Sequence, residues 1–348
     1  RDLVRSRGLG DVYKRQCTGI AVVIIPIVCL YLLQCLLVPK YASDIKEGAM
    51  IKEYYNSEKN HDVLILGDCE VYENISTVTM WENYGISSYI RGSAEQLIWQ
   101  SYYLLEDTLK YEKPQVVIVN VLAMTESDAK NEAYNRMTLD GMKLSKYKIA
   151  SIKESMTEEE NMTSYIFPLL RYHSRWSELS SEDFRYMWKT PSVTTNGYLM
   201  QKGVRPVKTI PKAAPLANYT FSDRNMEYLD KIYSLCKDNG INLVLMKAPS
   251  VYPHWYDEWD KQVSDYAYEH GILYLNTINE AGNIGIDYTT DTFDYGQHLN
   301  VEGAEKLSLY LGEQLVKNFR LTDHRQDESY KNAWQSIVNK YYEEKQGD

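Results

Sequence analysis

The sequence predicts an α/β protein, a doubly wound three-layer α/β/α sandwich with helices on both faces of a parallel sheet. Two observations predict it. Five short apolar runs that read as buried strands alternate with stretches of helical spacing. Those runs are continuously apolar, as strands covered on both faces are. The 348 residues exceed one average domain and suffice for a core of about 200–250 residues plus insertions.

The elements follow in chain order. Residues 1–16 read as non-native, because Asp11–Gln16 resembles the translation of a sequencing-library transposon end, and they are set outside the fold. Residues 17–39 carry no charge and are almost wholly apolar, long enough for one bilayer-crossing helix despite Pro26. The run is longer than a leader's apolar core, and Lys40-Tyr41-Ala42-Ser43 is a poor cleavage site, so an uncleaved anchor is expected. Arg1, Arg5, Arg7, Lys14 and Arg15 favour an inside N-terminus and a body outside the cell, although residues 1–16 are the ones set aside. Residues 40–60 read as a polar stalk.

Asp62–Gly67 is the first strand, Ile86–Ile90 the second and Gln115–Leu122 the third, with a helix over Ala94–Lys110 between the last two. Residues 123–222 break the alternation and read as a mostly helical, irregular insertion. A helix over Asp223–Asn239, a strand over Asn242–Ala248, a helix over Trp255–His270, a strand over Leu273–Ile278 and a helix over Val301–Phe319 complete the α/β domain, residues 61–320. Residues 321–348 read as a charged helical tail.

Composition narrows the function. The net charge is −10, from 38 basic and 48 acidic residues, and no basic stripe is present, so nucleic acid is not an expected partner. Tyrosine stands at 31 against 5 Phe and 7 Trp, which suits a sugar-binding surface or is scattered surface Tyr. Cys69 and Cys236 alone lie in the body and make no disulfide framework. No Cys or His cluster has metal-ligand spacing and no phosphate loop occurs, so no metal and no cofactor is expected.

In doubly wound sheets chemistry sits at the carboxyl ends of the strands. Those ends carry Gly67-Asp68-Cys69-Glu70, Gly92, Asn120, Lys247 and the loop Asp291–Asn300. Lys247 is a candidate for binding an anionic substrate, or a surface-seeking side chain. Arg171, Arg175 and Trp176 could grip an acidic glycan by charge and stacking, or belong to a packed helix. Trp255-Tyr256-Asp257-Glu258-Trp259 invites the same two readings.

These positions resemble the SGNH/GDSL hydrolase family, whose fold is flavodoxin-like. The first block reads Leu66-Gly67-Asp68-Cys69-Glu70 and the last reads Asp291-Thr292-Phe293-Asp294-Tyr295-Gly296-Gln297-His298-Leu299-Asn300. The likeness is closest to membrane-anchored, extracytoplasmic members of bacterial envelopes. It is more distant to the D-alanine-transfer protein of teichoic acid synthesis and to alginate-type O-acetyltransferases. The resemblance implies an esterase or acyltransferase acting on an acylated envelope glycan or polymer. Cys69, in place of the family's Ser, would be the nucleophile, its pKa lowered at a helix start. His298 would be the base, and Asp294 or Asp291 its orienting acid, since Tyr295 occupies the family's usual Asp position. The Cys69 and Gly92 N–H groups and the Asn120 amide would form the oxyanion hole. The competing reading makes Cys69 a small buried hydrophobe in a catalytically silent glycan-binding or assembly module.

Overall fold

Val63–Gly67 (β1), Ser88–Gly92 (β2), Val116–Asn120 (β3), Asn242–Lys247 (β4) and Leu273–Asn276 (β5) pair in parallel, in the spatial order β2-β1-β3-β4-β5. This computed structural model describes residues 2–41 and 45–347, with side chains from residue 12 onward. The charges of Arg1, Arg5 and Arg7, and the Ala42-Ser43 step weighed for cleavage, lie outside the described residues and side chains.

Every residue of β1, β2 and β3 is buried; Val63–Leu66 and Val116–Val119 are accordingly continuous apolar runs, whereas β2 buries Ser88 and Arg91. Val63, Ile65, Val116, Ile118, Val244 and Met246 join Leu307 and Leu311 of the Val301–Asn318 helix in one core. The alternate strand residues turn to the other face, as the pleat requires. On that side the Ile98–Thr108 and Asp223–Asp238 helices pack together, while Thr77–Tyr84 packs on Val301–Asn318 on the first face. The strand order reverses between β1 and β3, the place where doubly wound sheets open a crevice.

Three expectations change. The stalk is part of the body from Met50 onward: Met50, Ile51 and Tyr54 are buried, and Tyr54 Oη donates to Glu112 at 2.7 Å. The tail is also body: the Glu328–Gln346 helix buries Trp334 and Tyr341, and Trp334 stacks on Trp81 at 4.9 Å. Finally, Tyr54, Tyr72, Tyr89, Tyr165, Tyr198 and Tyr341 are core residues, so these six of the 31 tyrosines serve packing rather than a sugar surface.

The insertion is divided between two compact units, Arg1–Lys40 with Thr163–Thr190, and Tyr41–Met162 with Pro191–Asp348. In the larger unit, the Asn196 carbonyl accepts from Ile90 N at 3.0 Å and its amide donates to the Ser88 carbonyl at 3.3 Å, covering the outer edge of β2. The turn needs Gly197, at φ +88°, where an added Cβ would lie 2.0 Å from the Ile90 carbonyl oxygen. Gly197→Ala is expected to lower unfolding stability by about 1–3 kcal/mol, read as a shifted urea midpoint; an unchanged midpoint contradicts this.

In the smaller unit, the helix Asp2–Leu37 contains Pro26, and its Val12–Leu37 portion is long and apolar enough to cross a membrane. The short helices Leu169–Tyr172, His173–Glu178 and Ser181–Arg185 pack against it.

Candidate active site

The site is built from the ends of β1 and β4 and from the loop before the Val301–Asn318 helix. β1 ends at Gly67, and Asp68 caps the short helix Cys69–Tyr72 by accepting from Glu70 N at 3.1 Å. Cys69 is the first helical residue, where an N–H has no intrahelical partner. Gly92 lies in register with Gly67 on the neighbouring strand.

The His298 loop closes on itself through an antiparallel bridge between Thr292 and Leu299. Tyr295 and Gly296 take left-handed conformations, φ +67° and +92°, and turn the chain so that Asp294 folds back onto His298. One Asp294 oxygen accepts from His298 N at 2.8 Å, and the other lies 2.6 Å from Nδ1. Asp294 is therefore the carboxylate that holds the ring, by its Nδ1 edge. Asp291 is committed elsewhere: its Oδ2 accepts from Lys306 Nζ at 2.6 Å and from Asp287 N at 2.8 Å. It holds the loop and not the ring.

Two residues at the end of the Cys69–Tyr72 helix, Glu73 and Asn74, hold this loop. Glu73 N donates to the Cys69 carbonyl at 3.1 Å, which puts Glu73 one turn along the same face. Its carboxylate lies 3.2 Å from His298 Nδ1 and accepts from Gln201 Nε2 at 2.6 Å. Asn74 Oδ1 accepts from Leu299 N at 2.7 Å. His298 is thus docked at the C-terminal end of the Cys69–Tyr72 helix, and no hydrogen bond joins the sulfur to the ring among the described residues.

Lys247 is neither a substrate contact nor at the surface. It is 0% exposed, and its ammonium donates to both Glu70 oxygens at 2.6 and 2.8 Å, to the Ala248 carbonyl at 2.8 Å and to Ser250 Oγ at 3.1 Å. Ser250 in turn donates to Glu70 Oε1 at 3.0 Å. A cation at the end of a buried strand needs such a partner, and Glu70 supplies it. Asn120 is absorbed by the same network. Its Nδ2 donates to Asp68 at 3.1 Å and to Glu70 at 3.0 Å, while its carbonyl oxygen accepts from Ala248 N at 3.3 Å. The amide expected in an oxyanion hole is occupied by carboxylates.

The electrostatics also differ from the expected lowered thiol. Burial pushes the Cys69 thiol well up, and Asp68, Glu73, Glu70 and Glu95 push it further. A helix of four residues offers little dipole against four carboxylates. Burial and then Glu70 raise Asp68 above the carboxylate range. Burial raises Glu73 to about 7 against the opposing pull of His298. Burial disfavours the His298 cation, but the Asp294 bond and the Glu73, Asp294 and Glu70 charges outweigh it and lift the ring to about 9. Removing one of those charges should be visible: in Glu73→Gln the His298 ring titrates below about 9 by proton NMR, and an unmoved titration would discount the Glu73 contact.

The residues expected to grip a glycan belong to the smaller unit. Arg175 is fixed by a two-pronged ion pair with Asp183 at 2.8 and 2.9 Å and donates to the Leu37 carbonyl at 2.9 Å, so its guanidinium is spent on structure. Arg171 lies on the Leu169–Tyr172 helix, and Trp176 is 71% exposed. In the larger unit, Trp255 is buried and its Nε1 donates to Asp260 at 3.3 Å. No group of three or more His, Cys, Asp or Glu side chains suited to a metal occurs among the described residues.

Glu70, Glu73, Asn74, Gln201 and Ser250 were not singled out from the sequence. Glu70 and Glu73 carried a signal, the first as the neighbour of Cys69 and the second by its helical spacing of four. Gln201 carried none.

No family model and no curated relative matches the chain. Among solved structures, it is similar to a GDSL-like lipase from Bacteroides thetaiotaomicron VPI-5482, at 11% identity and a TM-score of 0.38, covering 78% of this chain and 100% of that one. A candidate acylhydrolase from Bacteroides fragilis NCTC 9343 gives 11% identity and a TM-score of 0.37, covering 75% and 90%. A candidate lipolytic protein of the G-D-S-L family from Desulfitobacterium hafniense DCB-2 gives 13% and 0.36, covering 74% and 100%.

Proposed function

We propose that the chain is a membrane-tethered, SGNH-like acyl-transfer enzyme, a hydrolase or O-acyltransferase that acts outside the cell on an esterified envelope polymer. The observation that carries this reading is the His298 ring, clamped by Asp294 and docked through Glu73 and Asn74 onto the turn that bears Cys69. In the neutral ring, Nδ1–H is held by Asp294, and Nε2 takes the Cys69 proton as the sulfur attacks the ester carbonyl. The Cys69 and Gly92 N–H groups would receive the oxyanion. His298 then returns the proton to the leaving alkoxide, and a thioester remains on Cys69. Water or an acceptor hydroxyl gives its proton to Nε2, attacks the thioester and restores the thiol.

The charges around the site set its pH behaviour. A ring held protonated up to about 9 is a poor base at neutrality. Turnover is expected to climb with pH through about 9.

A second reading, a silent binding or assembly module, is favoured by the carboxylates around Cys69 and by the occupied Asn120 amide. Hydrolysis of an aryl acetate by wild type, Cys69→Ala and Cys69→Ser between pH 7 and 10 separates the two. The enzyme reading expects a rate above that of Cys69→Ala, retained in Cys69→Ser. Equal rates in wild type and Cys69→Ala across the range favour the module.

A further inference from the structure

We infer that residues 163–190 form a collar that lies in the headgroup layer of a phospholipid bilayer, around the end of the membrane-crossing helix; this rests on the reading of that helix as an anchor. The first observation is where the apolar surface falls. Among the described residues, the exposed Phe and Trp side chains are Phe167 (58%), Trp176 (71%), Phe184 (59%) and Trp188 (68%). All lie in this one segment, and Leu170 at 56% adds to them. The remaining Trp and Phe side chains of the protein are buried or half-buried.

The second observation is depth. The segment's short helices pack on the Asp2–Leu37 helix. Arg175 donates at 2.9 Å to the Leu37 carbonyl, one of the last carbonyls of that helix and one without an intrahelical partner. If Val12–Leu37 crosses the hydrocarbon, the Leu37 end marks its boundary, and whatever is fastened there sits at the boundary too.

The third observation is chemistry. Apart from Phe167, and from Trp176, whose neighbour Arg175 is held by Asp183, each exposed apolar side chain named has a basic neighbour in sequence: Leu170 and Arg171, Phe184 and Arg185, Trp188 and Lys189. Aromatic rings with adjacent long basic stems suit the interface, the rings at the acyl boundary and the charges toward phosphate. An aqueous surface would leave four large rings wet at a cost that burial in lipid removes.

The full chain reconstituted into phosphatidylcholine and phosphatidylglycerol vesicles tests this. Lipids brominated near the headgroup end of the acyl chain should quench the tryptophan emission. The loss should be largely absent from Trp176→Phe/Trp188→Phe, which leaves the other indoles in place, and each single variant should show part of it. Equal quenching of wild type and double variant, or free access of aqueous acrylamide to Trp176 and Trp188 in vesicles, overturns the collar and points to solvent or a protein partner. Flotation of the chain with the vesicles reads the anchor separately. Protein that floats without Trp176 and Trp188 quenching defeats the collar and leaves the anchor; protein that does not float defeats both.

Discussion

Replacing His298 by alanine is expected to lower kcat/KM for an aryl acetate by about a thousandfold or more, with the fold intact. The magnitude follows from the role: general acid–base transfer alone contributes about 10²–10⁴-fold, and a high-pKa thiol cannot supply its own thiolate. Folding should survive, because the backbone contacts of the loop do not need the ring. His298 N still reaches Asp294, and Leu299 N still reaches Asn74. The wild-type rate should rise with pH toward a plateau above about 9, the pH at which the ring loses its proton. Stability runs the opposite way. A ring whose folded pKa is raised contributes stability fully present below its unfolded value of about 6.5, and that contribution is lost as pH rises through about 9. Optimal turnover and the largest His298 contribution to stability therefore lie at different pH. A His298→Ala protein with native circular dichroism and undiminished turnover removes this residue from the chemistry.

The second large effect is on stability. Lys247→Met is expected to cost about 3–5 kcal/mol, because it strands the Glu70 carboxylate, 1% exposed, without its cation. The remaining donors to Glu70, Asn120 and Ser250, are neutral and cannot replace a charge at 2.6 Å. The pair itself is a weaker stabiliser than that figure suggests, since desolvation offsets much of the attraction. Glu70→Met/Lys247→Met should therefore recover most of the loss. Urea unfolding of the full chain in detergent reads both. A single variant within about 1 kcal/mol of wild type would mean the carboxylate finds a proton or water at no cost, and the network would lose its structural role.

Much of the fold was legible because parallel strands announce themselves. Val63–Gly67, Val116–Asn120 and Asn242–Lys247 are continuous apolar runs, and their edges moved only by a residue or two from those read in the sequence. The second strand shifted toward Arg91-Gly92, since a buried arginine disguises a core strand. Arg91 is 1% exposed, donates to Thr108 Oγ1 at 2.8 Å and pairs with Asp107 at 3.3 Å, contacts far apart in sequence. The packing of Tyr54 and Trp334 was hidden for a related reason: each takes a partner ring, Tyr89 and Trp81, from a distant segment. At the site, motif order located Cys69 and His298. The choice between Asp291 and Asp294 needed the backbone turn at Tyr295. The network of Glu70, Lys247 and Asn120 needed three dimensions, because its members come from three strand ends.

The chain visits the smaller unit twice, once at Arg1–Lys40 and again at Thr163–Thr190. A cut after Lys40 therefore leaves residues 163–190 of the smaller unit covalently joined to the larger unit. The downstream piece keeps residues 163–190, and the Arg175 bond to the Leu37 carbonyl still joins it to the severed helix without a covalent bond. Separating the larger unit from every part of the smaller one takes a cut on each side of residues 163–190 as well, three in all.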